Sequence, residues 1–238
     1  MNTKIFDRTS SKLRVQLFAT ILLVLVPLAL FVAAGLYQVQ TTRTRIIQER
    51  AYDLARTGAA RYQNAIDDVR TVLDLFSHVP EVSHGTPEIC GQFLTNILRS
   101  HAWARGFSLV KADQKISCST NPAALGFDLT NREWFQESLS RGGYHVSDFV
   151  VSKVTGTATT FATMIAKDSK SQEPYALTAS LDLAWLDQLA ADVGQKHNAL
   201  VLLLDSKGTI ISRYPSKPDA ANRVVPSKFY SDVASHPE

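Results

Sequence analysis

Arg132 is the residue with the clearest capacity for chemistry in this sequence. A guanidinium offers a fixed fork of donors that suits a carboxylate or another small anion. It stands in the first turn of a helix expected over residues 131 to 140, and two rings that could wall a pocket, Trp134 and Phe135, follow it. Tyr144 and Asp148 lie at even spacing on the next expected strand, which points both side chains to one face. Thr178 and Ser180 share a face on a later strand in the same way. An apolar wall with a few convergent polar groups is what a small-molecule site requires. Each residue also has a plainer reading. Phe135 and Leu139, four apart, make an ordinary core face, Trp134 packs beside them, and Arg132 serves a surface ion pair.

Catalysis finds little in the remaining residues. The six histidines, His78, His84, His101, His145, His197 and His236, are scattered, and none has metal-ligand spacing with a carboxylate or cysteine. There is no phosphate-cradling glycine loop and no nucleophile elbow, and Asp205-Ser206-Lys207-Gly208 reads as a hairpin turn. The expectation is a binding protein with no cofactor, no metal and no catalysis in this chain.

The elements that position these residues begin at a membrane. Leu17 to Tyr37 is an uncharged run of 21 residues, long enough as a helix to cross a hydrocarbon core of about 30 Å, and proline, here Pro27, is tolerated in such helices. Residues 1 to 16 carry Lys4, Arg8, Lys12 and Arg14 against Asp7. Basic flanks stay cytoplasmic, so the bulk of the chain is expected in the periplasm or outside the cell, anchored in a bacterial inner membrane by one span. The competing reading is a cleaved secretory signal, because Val32-Ala33-Ala34 resembles a signal-peptidase site. The tail accounts for the net charge of +3: beyond it, 21 basic and 21 acidic residues cancel. The basic balance is therefore a topology signal, and no nucleic-acid partner is expected.

Residues 38 to 78 read as one stalk helix, with apolar or small residues at Ile47, Ala51, Leu54, Gly58, Tyr62, Ala65, Val69, Leu73 and Phe76, spaced by three or four. Such a helix would extend about 60 Å, and its stripe also allows a homodimer seam. Thr86-Pro87-Glu88 opens a second helix. Strands follow at 104 to 111 and 115 to 120, then a short helix with Thr130 and Glu133 at capping-box spacing and Gly142-Gly143 behind it. Further strands are expected at 144 to 151, 158 to 167 and 174 to 181, a helix from Leu183 ending at Gly194, and a hairpin at 199 to 204 and 209 to 213. Cys90 and Cys118 make an even count in an oxidising compartment, which favours a disulfide; the alternative is two buried thiols packing as small hydrophobes.

This order gives an α+β fold: one transmembrane helix, a long stalk helix, and a PAS-like five-stranded antiparallel sheet flanked by helices, with the start of a second lobe. The phrases Asn131-Arg132-Glu133-Trp134-Phe135-Gln136, Gly143-Tyr144-His145-Val146-Ser147-Asp148, Val154-Thr155-Gly156 and Ala179-Ser180-Leu181-Asp182-Leu183-Ala184-Trp185-Leu186 resemble a double-Cache extracytoplasmic sensor domain of bacterial histidine kinases and diguanylate cyclases. The resemblance runs from about residue 40 to the C-terminus. It implies a cytoplasmic tail at 1–16, a span at 17–37, a stalk at 38–78, a membrane-distal Cache lobe at 79–196 that holds a small-molecule ligand, and the beginning of a membrane-proximal lobe at 197–238.

The family picture continues into a second span and a cytoplasmic output domain. Only 40 residues follow from Ala199, so a fragment of a longer receptor of a two-component or cyclase system is expected. The alternative is a short protein whose last hairpin packs on the first lobe. In the amino-acid-binding branch of the family the ligand motif is Tyr, four residues, Arg, one residue, Trp, Tyr. Phe127, Arg132, Trp134 and Phe135 match it in register, while Val150 and Ser180 stand where the later Tyr and Asp hold the ligand amine. The resemblance at Arg132, Trp134 and Phe135 implies a small anionic or carboxylate ligand, and strand spacing adds Tyr144, Asp148 and Ser180 to the residues expected to bind it. A ligand-free structural or partner-binding membrane protein is the other reading.

Overall fold

The computed structural model describes residues 5–168, 171–217, 224–227 and 230–231. In chain order the elements are helices α1 (Ile5–Ser77), α2 (Pro80–Ser83) and α3 (Pro87–Leu98), strands β1 (Ala104–Val110) and β2 (Ile116–Ser119), and helix α4 (Glu133–Arg141). Strands β3 (Tyr144–Val146), β4 (Val150–Val151), β5 (Ala158–Thr159), β6 (Phe161–Lys167) and β7 (Pro174–Leu181) follow. Helix α5 (Leu183–His197) and strands β8 (Val201–Leu204) and β9 (Ile210–Tyr214) complete the order.

By internal contacts the chain divides into two units, Met1–Leu54 and Ala55–Glu238. The described backbone of the first is helical throughout. Among the described residues no helix is long and apolar enough to cross a membrane. Most side chains of the expected span, Leu17 to Tyr37, lie outside the described residues, as do those of residues 38–48. The side chains that are described there, Leu22, Leu23, Leu25, Val26, Leu28, Leu30, Phe31 and Val32, are all exposed.

The second unit is built on a five-stranded sheet in the order β2-β1-β7-β6-β3, antiparallel at each pairing. Its two faces follow from strand alternation. Phe107 and Leu109 of β1, Leu177, Ala179 and Leu181 of β7, and Ala162 and Met164 of β6 form one face. They are buried with Ile66, Val69 and Leu73 of α1 and Leu94 of α3. The helical stripe at Val69, Leu73 and Phe76 is therefore what docks α1. The opposite face carries a second apolar cluster: Val110, Ile116, Ala124, Leu129, Phe135 and Ala176. One row on this face is polar from edge to edge, with Ser119, Ser108, Thr178, Thr163 and His145 in register across all five strands.

Several expected elements take different bounds for identifiable reasons. The strand expected at 144 to 151 breaks after Val146, where Ser147 N donates to Phe161 O and Phe161 N donates back to Ser147 Oγ, at 2.8 and 2.9 Å. Val150 and Val151 then peel away to pair with β5 in a separate ribbon. Thr130 does not cap α4. The cap position is Arg132, without a side-chain capping bond, and Thr130 N donates instead to Asp128 Oδ1 at 2.8 Å. Helix α5 passes through Gly194 to His197 and ends on left-handed Asn198 (φ 48°). Gly194 is a packing glycine, because a Cβ there would collide with the Tyr214 ring and Ala199 O.

Cys90 of α3 and Cys118 of β2 are joined in a disulfide, both buried, which ties α3 to the edge strand. Closing a loop of 28 residues restricts the unfolded chain by about 3 to 4 kcal/mol in the loop-entropy model. Chemical denaturation of the oxidised protein against Cys90→Ser and Cys118→Ser variants is expected to show a loss of that size. Equal midpoints would remove the cross-link from the stability of the fold.

Candidate functional site

On the face of the sheet away from α1 and α3 lies a cavity of about 630 Å³. Its floor is the polar end of the central strands: Gly106 and Ser108 of β1, Ser119 of β2, Thr178 and Ser180 of β7. Phe127, Leu129, Arg132 and Trp134 wall one side, on the segment that leads into α4. The β4–β5 ribbon walls another, through Val150, Val151 and Thr159. The site is thus assembled from three segments far apart in sequence, each held by its own local hydrogen bonds.

The turn that presents Arg132 is fixed by backbone and side-chain bonds around it. Arg132 N donates to Leu129 O at 3.0 Å. Gln136, one turn into α4, reaches back with Nε2 to Thr130 O and to Gln114 Oε1, at 2.8 and 2.7 Å. The Arg132 guanidinium lies over the Phe127 ring, 5.1 Å from its centroid, a cation–π contact that orients it. Its Nε is buried and has no hydrogen-bond partner among the described residues. Buried polar groups are nearly always satisfied, and Thr163 Oγ1 and Arg213 Nε are the other buried side-chain atoms without a partner among the described residues.

Trp134 stacks on Phe161 with centroids 4.0 Å apart and planes 14° apart. The floor hydroxyls are committed to the sheet: Thr178 Oγ1 donates to Ser108 O at 3.2 Å and Ser180 Oγ to Gly106 O at 3.4 Å. Ser108 and Ser119 share a hydrogen bond of 2.9 Å.

Of the residues expected to bind ligand, Arg132, Trp134 and Ser180 line this cavity, and Phe135, Tyr144 and Asp148 do not. Phe135 is core, 1% exposed. Tyr144 pairs with Met164 and so falls on the helix-facing side of the sheet, where its hydroxyl donates to Ile66 O of α1 at 3.1 Å; burial pushes its phenol pKa up. The break at Ser147 destroys the even spacing that would have aligned Tyr144 with Asp148. Asp148 instead accepts from Ser206 N and Oγ at 3.0 and 2.9 Å, with Lys207 Nζ at 3.5 Å. Asp205 Oδ2 accepts from Phe149 N at 3.3 Å, so the β8–β9 turn is tied to the chain just before the ribbon. Phe161, Ser108 and Ser119 were missed from sequence. Ser108, between Phe107 and Leu109, carries the alternation that could have revealed it.

No protein-family model matches the sequence, and neither does any curated protein. Solved structures do match. The extracellular domain of rpHK1S-Z16, described as a histidine kinase, superposes with a TM-score of 0.63 at 12% identity, covering 77% of each chain. The sensor domain of the V. cholerae histidine kinase DctB gives 0.61 at 12% identity, over 80% of this chain and 76% of that one. The ligand-binding domain of the Pseudomonas fluorescens chemoreceptor CtaA, in complex with L-serine, gives 0.56 at 14%, over 76% and 75%. The fold is shared with these extracellular, sensor and ligand-binding domains of histidine kinases and a chemoreceptor.

Partial burial acts to raise the Asp148 pKa, but the Ser206 hydrogen bonds and Lys207 outweigh it and hold the carboxyl below its ordinary value. A depressed folded pKa contributes stability above the unfolded pKa, near 3.9, and that contribution is lost as pH falls through the folded value. Asp148→Ala is therefore expected to cost about 1.5 to 3 kcal/mol at neutral pH. The gap from wild type should narrow as pH falls below the unfolded pKa and through the lower folded one. Denaturation midpoints measured across that range check both statements.

Proposed function

We propose that this chain is the extracytoplasmic sensing region of a bacterial membrane receptor, binding a small carboxylate or other anion through Arg132, with Trp134 and Ser180 lining the same site. The observation that carries this reading is the buried, unpartnered Arg132 Nε at the wall of a cavity. A cavity filled by Trp134 and Phe135 would have favoured a ligand-free partner-binding protein. Instead the two rings pack on Phe161 and into the core, and about 630 Å³ is left open.

The location and the signalling route belong to the same proposal. Leu17 to Tyr37 is the single span, with residues 1–16 in the cytoplasm and the distal and proximal lobes, 79–196 and 197–238, in the periplasm. It is supported by a continuous helical backbone through apolar side chains that are exposed wherever they are described. The stalk helix is the homodimer element. The sheet stands between the cavity and Ile66, Val69 and Leu73 of α1, so a ligand that draws the cavity walls together loads the sheet and, through it, the helix. Its effect is bounded by its differential affinity for the two states. A kinase or diguanylate cyclase belongs to the output of such receptors, not to these residues.

A thermal-shift screen of the full chain in detergent against small carboxylates tests the reading. A ligand at 100 times its dissociation constant is expected to add about 2.7 kcal/mol of stability, and Arg132→Ala to abolish the shift while melting cooperatively. A shift that survives the substitution would place the ligand elsewhere.

A further inference from the structure

We infer that the cavity selects a monocarboxylate carried on an aromatic or similarly flat apolar body without an ammonium group. This rests on the reading of Arg132 as the carboxylate anchor and adds what the rest of the ligand must be.

The charge inventory excludes an amine. Four ionisable side chains line the cavity: Arg105, Arg132, Glu133 and Lys153. Glu133 supplies the sole carboxylate, and it is 89% exposed and 3.7 Å from Lys207 Nζ. Arg105 lies 3.6 Å from Asp182 and is well exposed, and Lys153 is exposed. No buried carboxylate faces the cavity, so an ammonium carried in beside Arg132 would meet like charge and no counter-ion. Burying an ion without a partner is among the most costly things a site can do.

The floor hydroxyls offer no free donor to a second carboxylate. Thr178, Ser180 and Thr159 each donate their one proton to a backbone carbonyl, the last to Leu181 O at 2.8 Å, and Ser108 and Ser119 bond each other. The floor therefore presents lone pairs, which disfavour a second anionic group and accept from a ligand donor, but supply no charge to balance an ammonium. Arg132 is the half-buried cation of the lining, whereas Arg105 and Lys153 are exposed, so one anionic end is held out of solvent.

The remaining volume is apolar. Trp134 and Phe161 form a parallel stack, Ile116 and Leu129 flank it and Val150 closes the ribbon side. A two- or four-carbon acid held at Arg132 would leave most of this surface wetted. A planar ring system would cover it and extend the stack, where aromatic pairing adds about 0.5 to 1.5 kcal/mol beyond burial.

The test is a calorimetric titration of the detergent-solubilised full chain with indole-3-acetate and phenylacetate, L-tryptophan and L-phenylalanine, and acetate and succinate. The aryl acetates are expected to bind at least about a hundredfold more tightly than the matching amino acids, and also more tightly than acetate and succinate. Arg132→Ala should remove the binding; Arg132→Gln replaces it if the alanine variant does not melt cooperatively. Amino acids or succinate binding as tightly as the aryl acetates, still through Arg132, would overturn the selectivity and leave the carboxylate site standing. No binding by any of the six, or binding indifferent to both Arg132 variants, would overturn the two together. The ratio between ligands is read on the wild-type chain and needs no variant to fold.

Discussion

The strand that the rest of the second unit depends on is β7. It lies in the middle of the sheet, bonded along its whole length to β1 on one side and β6 on the other, so its alternation fixes which side of three strands meets the helices. Tyr175, Leu177, Ala179 and Leu181 face α1 and α3, while on the other side Ala176 joins the second apolar cluster and Thr178 and Ser180 face the cavity. A slip of one residue would exchange these sets and bring hydroxyls against Val69 and Leu73. Register in the central strands therefore places both the dry core that holds α1 and the polar floor of the site.

The walls of the site are set by a different kind of constraint. Arg132 has no capping side chain of its own and sits where the chain turns into α4. Its position is held by neighbours: Asp128 closing on Thr130 N, Gln136 reaching back over the turn, and the Phe127 ring beneath the guanidinium. Hydrogen bonds within the turn satisfy its own backbone and leave the Arg132 Nε unused. The ribbon wall is anchored from outside the sheet, where Asp148 and Asp205 exchange bonds across Phe149 and Ser206. The cavity is bounded by one wall integral to the sheet's helical cover and another moored to the hairpin that follows α5.

Long periodic elements were legible in the sequence because their signal is repeated. The stripe through Val69, Leu73 and Phe76, the proline-opened α3 and the strand at 174 to 181 all stand where spacing put them. Of the residues that spacing singled out, Arg132, Trp134 and Ser180 line the cavity. Tyr144 and Asp148 do not share a face, because their even spacing holds only along one unbroken strand. Ser147, whose side chain replaces a ladder partner for Phe161 N, ends that strand three residues in. Gly194 read as a helix stop because glycine commonly is one, and nothing local indicates that Tyr214 packs against it. At Ser147 and Gly194 a contact distant in sequence overrides a local preference, while at Thr130 a nearer partner, Asp128, takes its backbone N–H.

The lengths of the strands have a consequence for how such a chain behaves in company. β1, β6 and β7 run to seven, seven and eight residues, while the two edges, β2 and β3, have four and three. The outer rim of β2 is partly occupied as well, because Ile116 N donates to Phe127 O and Gly126 N to Ile116 O. Unpaired strand rims are templates on which another chain can add, and short or covered rims offer little to copy. The five-stranded sheet in this sense offers little purchase for edge-to-edge polymerisation.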